Sequence, residues 1–171
     1  MPTFRDTEQL YRVLDTLFRR LSDRQPIVEA LMAGRFILRF HYTEPHGQVT
    51  VDMTGSELSW ELGDSSLTPA LELFQSADVA HSFWLGELNV PLAIASRKVV
   101  SRGDISKALT LLPAIKPAFP IYRAVLSELG MAHTIPSHDG AANGTVERWR
   151  RRLLGMGHAS SQRLWQRLRR L

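Results

Sequence analysis

The most regular feature of the chain is an alternation of apolar and polar positions between residues 36 and 62. Three short segments share it, F-I-L-R-F-H-Y, Q-V-T-V-D-M-T and E-L-S-W-E-L, with turn sequences such as E-P-H-G and T-G-S between them. A period of two predicts an antiparallel meander with one covered face and one face in water. The ten residues on the apolar face are Phe36, Leu38, Phe40, Tyr42, Val49, Val51, Met53, Leu58, Trp60 and Leu62. They predict a broad apolar surface without catalytic groups.

The other segments show helical periodicity or short extended runs. Helices are predicted at residues 6–23, 26–33, 76–85, 90–96, 105–115 and 121–129, and extended segments at 67–75 and 98–102. Ser76 and Asp104 are N-cap candidates, while Gly34 is placed to end the second helix. Acidic residues at 57, 61, 64 and 72 fall on or beside the outer face of the strands, where solvent contact is expected. The order of elements predicts an α+β domain.

Composition limits the kinds of functional site that the chain can contain. The chain has 171 residues, enough for one domain with a core, and no cysteine, which excludes disulfides and thiolate metal sites. The six histidines form no pair with zinc-ligand spacing, and no glycine-rich nucleotide loop occurs, so neither a metal nor a cofactor is predicted. No pair of acids at workable spacing is visible, which argues against an enzyme. The N-terminus lacks an apolar signal segment and no run could span a membrane, so a cytoplasmic location is expected.

Charge separates the C-terminal residues from the rest. Residues 1–145 carry 13 Lys and Arg and 16 Asp and Glu, a balance of −3, whereas residues 146–171 carry eight Arg and one Glu, a balance of +7. Arg, Trp and Leu at helical spacing in this tail are typical of helices on anionic membrane surfaces. The predicted membrane contacts are Trp149, Arg150, Arg151, Leu164, Trp165, Arg167 and Leu168. Packing of the tail on the body and binding to a partner protein stay open, while the acidic body argues against nucleic acid.

Residues 76–112 carry a resemblance to a known family. They read S-A-D-V-A-H-S-F-W-L-G-E-L-N-V-P-L-A-I-A-S-R-K-V-V-S-R-G-D-I-S-K-A-L-T-L-L. This segment resembles the sterol carrier protein family, and the likeness extends over about residues 27–115. That family has a Ser-capped helix ending in Leu-Gly-Glu/Lys-Leu, a second helix, a strand opened by Gly and a basic residue, and Gly-Asp before an apolar helix. Two positions depart from its pattern, because Leu71 follows Ala70 where Asp is usual and Arg97 precedes Lys98 where Gly is usual.

The resemblance implies a five-stranded, mostly antiparallel sheet covered on one face by helices around an apolar cavity. Family members bind sterols, acyl chains or quinone-type intermediates and transfer them or present them to a partner enzyme. The divisions expected are a sterol-carrier-like lipid-binding domain at 1–132, a linker at 133–145 and a basic amphipathic tail at 146–171. The candidate ligand-binding residues are Phe40, Val51, Trp60, Phe83, Trp84, Leu88 and Ile94. From spacing alone each of these could equally be core, so an adaptor with a filled core and a recruiting tail is the alternative.

Overall fold

The computed structural model describes residues 2–135 and contains a five-stranded sheet with the strand order β3–β2–β1–β4–β5. The strands are β1 (Ile37–Thr43), β2 (Gly47–Asp52), β3 (Ser59–Leu62), β4 (Leu71–Ser76) and β5 (Val99–Gly103). Only β1 and β4 are parallel, and the other neighbouring strands are antiparallel. The predicted α+β class, the number of strands and the mostly antiparallel sheet are therefore confirmed.

Helices cover one face of this sheet. They are α1 (Thr7–Ser22), α2 (Gln25–Met32), α3 (Ala77–Trp84), α4 (Val90–Ala95), α5 (Ile105–Ile115) and α6 (Ala118–Glu128), followed by a single 3-10 turn at Ala132–Thr134. The caps follow from the sequence, because Ser76 accepts a hydrogen bond from the Val79 N–H and Asp104 accepts one from the Ser106 N–H. These two caps set the points at which β4 turns into α3 and β5 turns into α5.

The covered face of the sheet is built from the predicted alternation. In the register, Leu38 lies beside Val51 on one side and Leu71 on the other, and Phe40 lies beside Val49 and Leu73. Val49, Val51 and Met53 are all nearly inaccessible to solvent, as expected for alternate positions that face one side of a pleated strand. The apolar side chains of neighbouring strands therefore form continuous rows across the sheet.

The outer face carries polar contacts that the alternation did not predict. Thr50 lies on this face but is fully buried, because the guanidinium of Arg39 covers it and its Nε donates to Thr50 Oγ1 at 3.0 Å. Glu72, expected to contact solvent, instead lies 2.6 Å from Nε2 of His41, and both side chains are about three-quarters buried. The His41 ring also stacks on Phe74 with centroids 4.3 Å apart. Cross-strand pairing thus brings together side chains that lie 31 residues apart.

Three element boundaries differ from prediction for reasons of backbone chemistry. Gly34 does not end α2 in a left-handed conformation; Arg35 adopts it instead, with φ of 50°. β4 begins at Leu71 rather than residue 67, since Pro69 has no N–H to give to a neighbouring strand. α6 begins at Ala118 rather than residue 121, because Pro120 falls in the first turn, where the N–H groups have no partner within the helix.

The basic tail at 146–171 and its predicted membrane contacts lie outside the described residues. The domain boundary at 132 and the linker at 133–145 stay predictions, since the description ends at Ile135. Within residues 2–135, no helix is long and apolar enough to cross a membrane.

Candidate functional site

An apolar cavity lies between the covered face of the sheet and the helices on its β4–β5 side. The sheet supplies Leu38, Phe40, Leu73, Gln75 and Val99, which alternate along β1, β4 and β5 and therefore share this face. The helical side supplies Phe83 and Trp84 from α3, Leu88 from the following loop, Val90 and Ile94 from α4, and Ile105, Ala108, Leu109, Leu111, Leu112 and Ile115 from α5. Fifteen of these sixteen residues are apolar, and the remaining one is Gln75.

The helix α3 is held in place by a buried polar cluster on its other side. His81 is 6% exposed, and its Nδ1 lies 2.9 Å from the Tyr122 hydroxyl of α6 while its Nε2 lies 3.1 Å from the Thr134 carbonyl oxygen. A carbonyl can only accept, so Nε2 carries the proton and Nδ1 accepts from Tyr122. Burial lowers the pKa of His81 and raises the pKa of Tyr122, and both groups are therefore neutral at pH 7. This cluster fixes Phe83 and Trp84 against the cavity.

The helices α4 and α5 form a looser wall. Each has a single fully buried residue, Ala93 in α4 and Leu111 in α5. Leu109 lines the cavity yet is 38% exposed, so it lies at the cavity opening. Pro113 lies inside α5 and has no N–H, so the Leu109 carbonyl lacks its usual partner within the helix. These two helices therefore bury fewer side chains than α3, in which Ala77, Ala80, His81 and Trp84 are buried.

The entry to α5 depends on one glycine. Gly103 has φ of 99°, and a Cβ built there would overlap the carbonyl oxygen of Ala70, the residue just before the neighbouring strand β4. Arg97, at the departure from the family pattern, has φ of 58°, which is the region that glycine favours. Gly103 and Arg97 thus lie at or near the two ends of β5, the strand at the edge of the sheet beside the cavity.

The free space inside is small and is divided. The cavity holds about 70 Å³, and a second apolar space of about 40 Å³ lies beside it. The second space extends toward α1 and α2, and five residues line both spaces: Leu38, Phe40, Trp84, Leu111 and Ile115. Side-chain movement of these shared residues would join the two.

A third space lies at the surface. It is an open depression of about 460 Å³ between α2 and the start of α6, lined in part by Arg24, Pro26 and Pro117. Because it is open to solvent, it would not shield an apolar molecule from water.

The cavity wall contains no titratable side chain in the part of the chain that the structure describes. Over the same residues, no group of three or more His, Asp or Glu side chains is arranged to hold a metal ion. General acid–base chemistry needs a titratable group within reach of the reacting atoms. This wall can therefore contact an apolar molecule and keep water away from it, but it offers no side chain for proton transfer.

The predicted ligand-binding residues divide into three sets. Phe40, Phe83, Trp84, Leu88 and Ile94 line the cavity, and Val51 lines the second space together with Phe40 and Trp84. Trp60 lines neither space. Its ring stacks on Phe18 of α1 with centroids 5.7 Å apart, and its Nε1 donates to Asp15 at 2.9 Å. The structure therefore places Trp60 in the contact between β3 and α1.

None of the predicted ligand contacts lies in α5, although this helix lines much of the cavity. Ile105, Ala108, Leu109 and Leu112 follow the i, i+3, i+4, i+7 spacing of an apolar helix face, and this signal could have found them. Gln75 was missed as well, although it shares the parity of Leu71 and Leu73 along β4.

This chain, with its helix-covered sheet of order β3–β2–β1–β4–β5, has a sterol-carrier-protein-2-like fold. The structure of sterol carrier protein 2 from Yarrowia lipolytica in its apo form is similar, with a TM-score of 0.55, 17% identity, and coverage of 69% of this chain and 98% of that one. The sterol carrier protein domain 2 of Helicoverpa armigera matches with a TM-score of 0.50, 15% identity, and coverage of 63% and 85%. A crystal structure of sterol carrier protein 2 matches with a TM-score of 0.51, 11% identity, and coverage of 65% and 93%.

No protein-family model matches the sequence, and no curated protein matches it either. The likeness to solved structures therefore defines the fold.

Proposed function

We propose that residues 1–132 bind a hydrophobic small molecule in the cavity and transfer it or present it to a partner enzyme, without catalysing a reaction. The observation that carries the proposal is an apolar cavity, enclosed by helices and sheet, whose wall holds no titratable group. Removing apolar surface from water is favourable by about 25 cal/mol for each Å², and this holds for a lipid chain as well as for a side chain. Sterols, fatty acyl chains and quinone-type intermediates are the proposed ligand classes. Similar folds in proteins named sterol carrier proteins support this reading.

Binding requires the cavity to enlarge. Ligand pockets commonly measure about 300–1,000 Å³, whereas the cavity here holds about 70 Å³. The wall formed by α4 and α5 is the part that would yield, because Leu109 is 38% exposed there and Pro113 removes a helical hydrogen bond. Joining the cavity with the second space at Phe40 and Trp84 would lengthen it toward α2. The ligand itself would fill the opened volume.

The small volume also favours the alternative function. An adaptor whose apolar face is filled core would need no larger space, and its basic tail would recruit a membrane or a partner protein. The two functions differ in one property, which is saturable binding of an apolar molecule by the body.

Titration of the full chain with a fluorescent fatty acid or sterol tests the proposal. We expect saturable binding of one molecule for each chain, displaced by an unlabelled competitor. Native mass spectrometry of the protein purified from its own host should show a bound lipid mass. The absence of both results would favour the adaptor.

For the tail, we propose reversible attachment to anionic membranes. Residues 146–171 carry a balance of +7, and basic residues near such a surface contribute about 1 kcal/mol each. Trp149, Leu164, Trp165 and Leu168 supply apolar anchors between the arginines, of which Arg150, Arg151 and Arg167 are the proposed lipid contacts. Peripheral attachment of this kind suits a carrier that must load and leave.

Sedimentation with liposomes tests the attachment. Replacing Arg150, Arg151 and Arg167 by Gln should reduce pelleting with anionic liposomes, whereas replacing the body residues Arg19, Arg20 and Arg24 by Gln should not. Pelleting should also weaken as salt shortens the Debye length from about 8 Å at 0.15 M to about 3 Å at 1 M. Equal pelleting of the two variants, or indifference to lipid charge, would contradict it.

A further inference from the structure

Gln75 is a polar residue at a position of the sheet that otherwise carries apolar side chains. It follows Leu71 and Leu73 at alternate positions of β4, and those two leucines are fully or nearly fully buried on the covered face. In the register Gln75 lies between Tyr42 of β1 and Val99 of β5. Alternation along the strand therefore directs its side chain into the cavity, whose wall it forms together with Val99 and Leu73.

The amide group of Gln75 has no partner within residues 2–135. No side-chain hydrogen bond of these residues involves it, although a glutamine amide offers two N–H donors and a carbonyl acceptor. The amide is partly accessible to water, because no fully buried side-chain polar atom among the described residues lacks a hydrogen-bond partner. At this position leucine would continue the row begun by Leu71 and Leu73. The amide has hydrogen-bonding capacity that a bound molecule can use.

The rest of the wall limits what that molecule can carry. Apart from Gln75, the one polar side-chain atom that the lining residues supply is the indole N–H of Trp84, and no Lys, Arg or His lies among them in the described part of the chain. A carboxylate or phosphate placed inside would leave water without meeting a cation, and burial of an unpaired charge is strongly unfavourable. An uncharged hydroxyl or carbonyl can exchange its hydrogen bonds with water for bonds to Gln75.

We propose that Gln75 receives the uncharged polar group of the ligand, so that the cavity selects lipids with a hydroxyl or ketone group over lipids with an acidic head. The proposal rests on the proposed function and names its ligand class. A site that hydrogen-bonds a hydroxyl discriminates against the analogue that lacks it, whereas apolar walls alone discriminate weakly. Gln75 is therefore the specificity-determining residue of the cavity, and the apolar wall supplies the affinity.

Displacement of an uncharged apolar dye from the full chain tests this inference. The dye is N-phenylnaphthylamine, and the competitors are dodecanol, dodecanoate and dodecane, which share one chain length. The variant Gln75→Leu keeps the size of the side chain and removes the amide. We expect it to bind dodecanol about three- to tenfold more weakly than the natural chain does, the range that corresponds to one neutral hydrogen bond. Its affinity for dodecane and dodecanoate should stay within about twofold of the natural chain's.

Gln48→Leu is the matched control. Gln48 lies on the opposite parity of β2, and its Nε2 donates to the Gly63 carbonyl at 3.1 Å, outside the cavity. The control should leave all three affinities unchanged. Retained dodecanol affinity in Gln75→Leu overturns the inference, and so does an equal loss for dodecanol and dodecanoate. If no competitor displaces the dye from the natural chain, the proposed function itself fails. Binding of dodecane by Gln75→Leu shows that the variant is folded.

Discussion

The covered face of the sheet is packed in two different ways on its two sides. We call the contact of β2 and β3 with α1 the closed side, and the contact of β4 and β5 with α3, α4 and α5 the open side. On the closed side, Leu10, Val13, Leu14 and Leu17 are at most 1% exposed, and Val49 is fully buried beneath them. On the open side, α4 and α5 bury one residue each and leave a cavity. One sheet thus combines a rigid half with an adaptable half.

This difference in packing bears on the proposed binding of a ligand. Stability is not uniform across a structure, and elements that move are drawn from regions with few buried contacts. Here the closed side, with its Trp60–Phe18 stack and the bond from Trp60 to Asp15, carries the packing. In the proposed binding, the open side would rearrange around the ligand while the closed side stays intact.

The largest expected effect is the loss of a leucine side chain from the closed side. Leu14→Ala should lower the free energy of unfolding by about 2–5 kcal/mol, because Leu14 is 1% exposed and its removal leaves a cavity. Leu109→Ala on the open side should cost about 1 kcal/mol or less, because Leu109 is 38% exposed and loses little buried surface. Urea unfolding of the two variants measures the difference. Equal losses would show that the two sides are packed alike.

Within the open side, added volume should distinguish the close-packed helix α3 from the helix α5, which borders the cavity. Ala80→Leu in α3 should lower the free energy of unfolding by about 1–3 kcal/mol, because Ala80 is 2% exposed in close-packed surroundings. Ala108→Leu in α5 places the same atoms in the cavity, so it should leave stability unchanged or raised and should prevent dye binding. Thermal unfolding and dye titration of both variants measure these effects. Dye binding that survives in Ala108→Leu would place the ligand elsewhere, for example in the depression beside Arg24.

The His81 cluster should make stability depend on pH. Burial lowers the pKa of His81, while Asp78 and Glu87 oppose this and Arg123 adds to it. The unfolded chain has the ordinary pKa of about 6.5 and binds a proton first as pH falls. The free energy of unfolding is therefore at its full value above that pH and decreases below it.

A variant isolates this contribution. His81→Phe should reduce the dependence on pH between pH 7.5 and 5. It should also cost about 1–3 kcal/mol at pH 7.5, because the Tyr122 hydroxyl loses its partner. Urea unfolding at both pH values is the measurement. An unchanged dependence on pH in the variant would assign it to other groups.

The smallest expected effect is at the edge of the open side. Arg97→Gly should raise the free energy of unfolding by up to about 1 kcal/mol, because a left-handed conformation costs a non-glycine residue about 1–2 kcal/mol. The conformational entropy that glycine loses on folding offsets part of this gain. Lys98→Gly is the control and should lower it by about 0.5–1 kcal/mol, since Lys98 has no positive φ to relieve. A loss of stability in Arg97→Gly would mean that the arginine side chain has a stabilising contact.

Much of the fold could be predicted from the sequence because its signals are local. Alternation placed Val49, Val51 and Met53 on one face, and the side chains of Ser76 and Asp104 mark helix starts wherever the rest of the chain lies. The left-handed conformation after α2 occurs at Arg35 rather than at Gly34, because it depends on how the chain enters β1.

The site could be predicted only in part. The alternation of apolar and polar residues shows which face of the sheet Trp60 occupies. It does not show that α1 covers the part of that face with Trp60, whereas α5 covers the part with Phe40. Which helix covers which strand is set by long-range packing. For the same reason the contact of Glu72 with His41 could not be predicted, because it requires β1 and β4 to be neighbours.

The parallel pairing of β1 with β4 has a consequence for the order of folding. The β1–β2 and β2–β3 pairs join strands that follow one another along the chain, so short turns close them. By contrast, Leu38 of β1 pairs with Leu71 of β4 only after the chain has passed through both hairpins. Closing a longer loop costs more conformational entropy, and contacts distant in sequence form more slowly. The nucleus should therefore contain the meander with α1, and β4 and β5 should join it last.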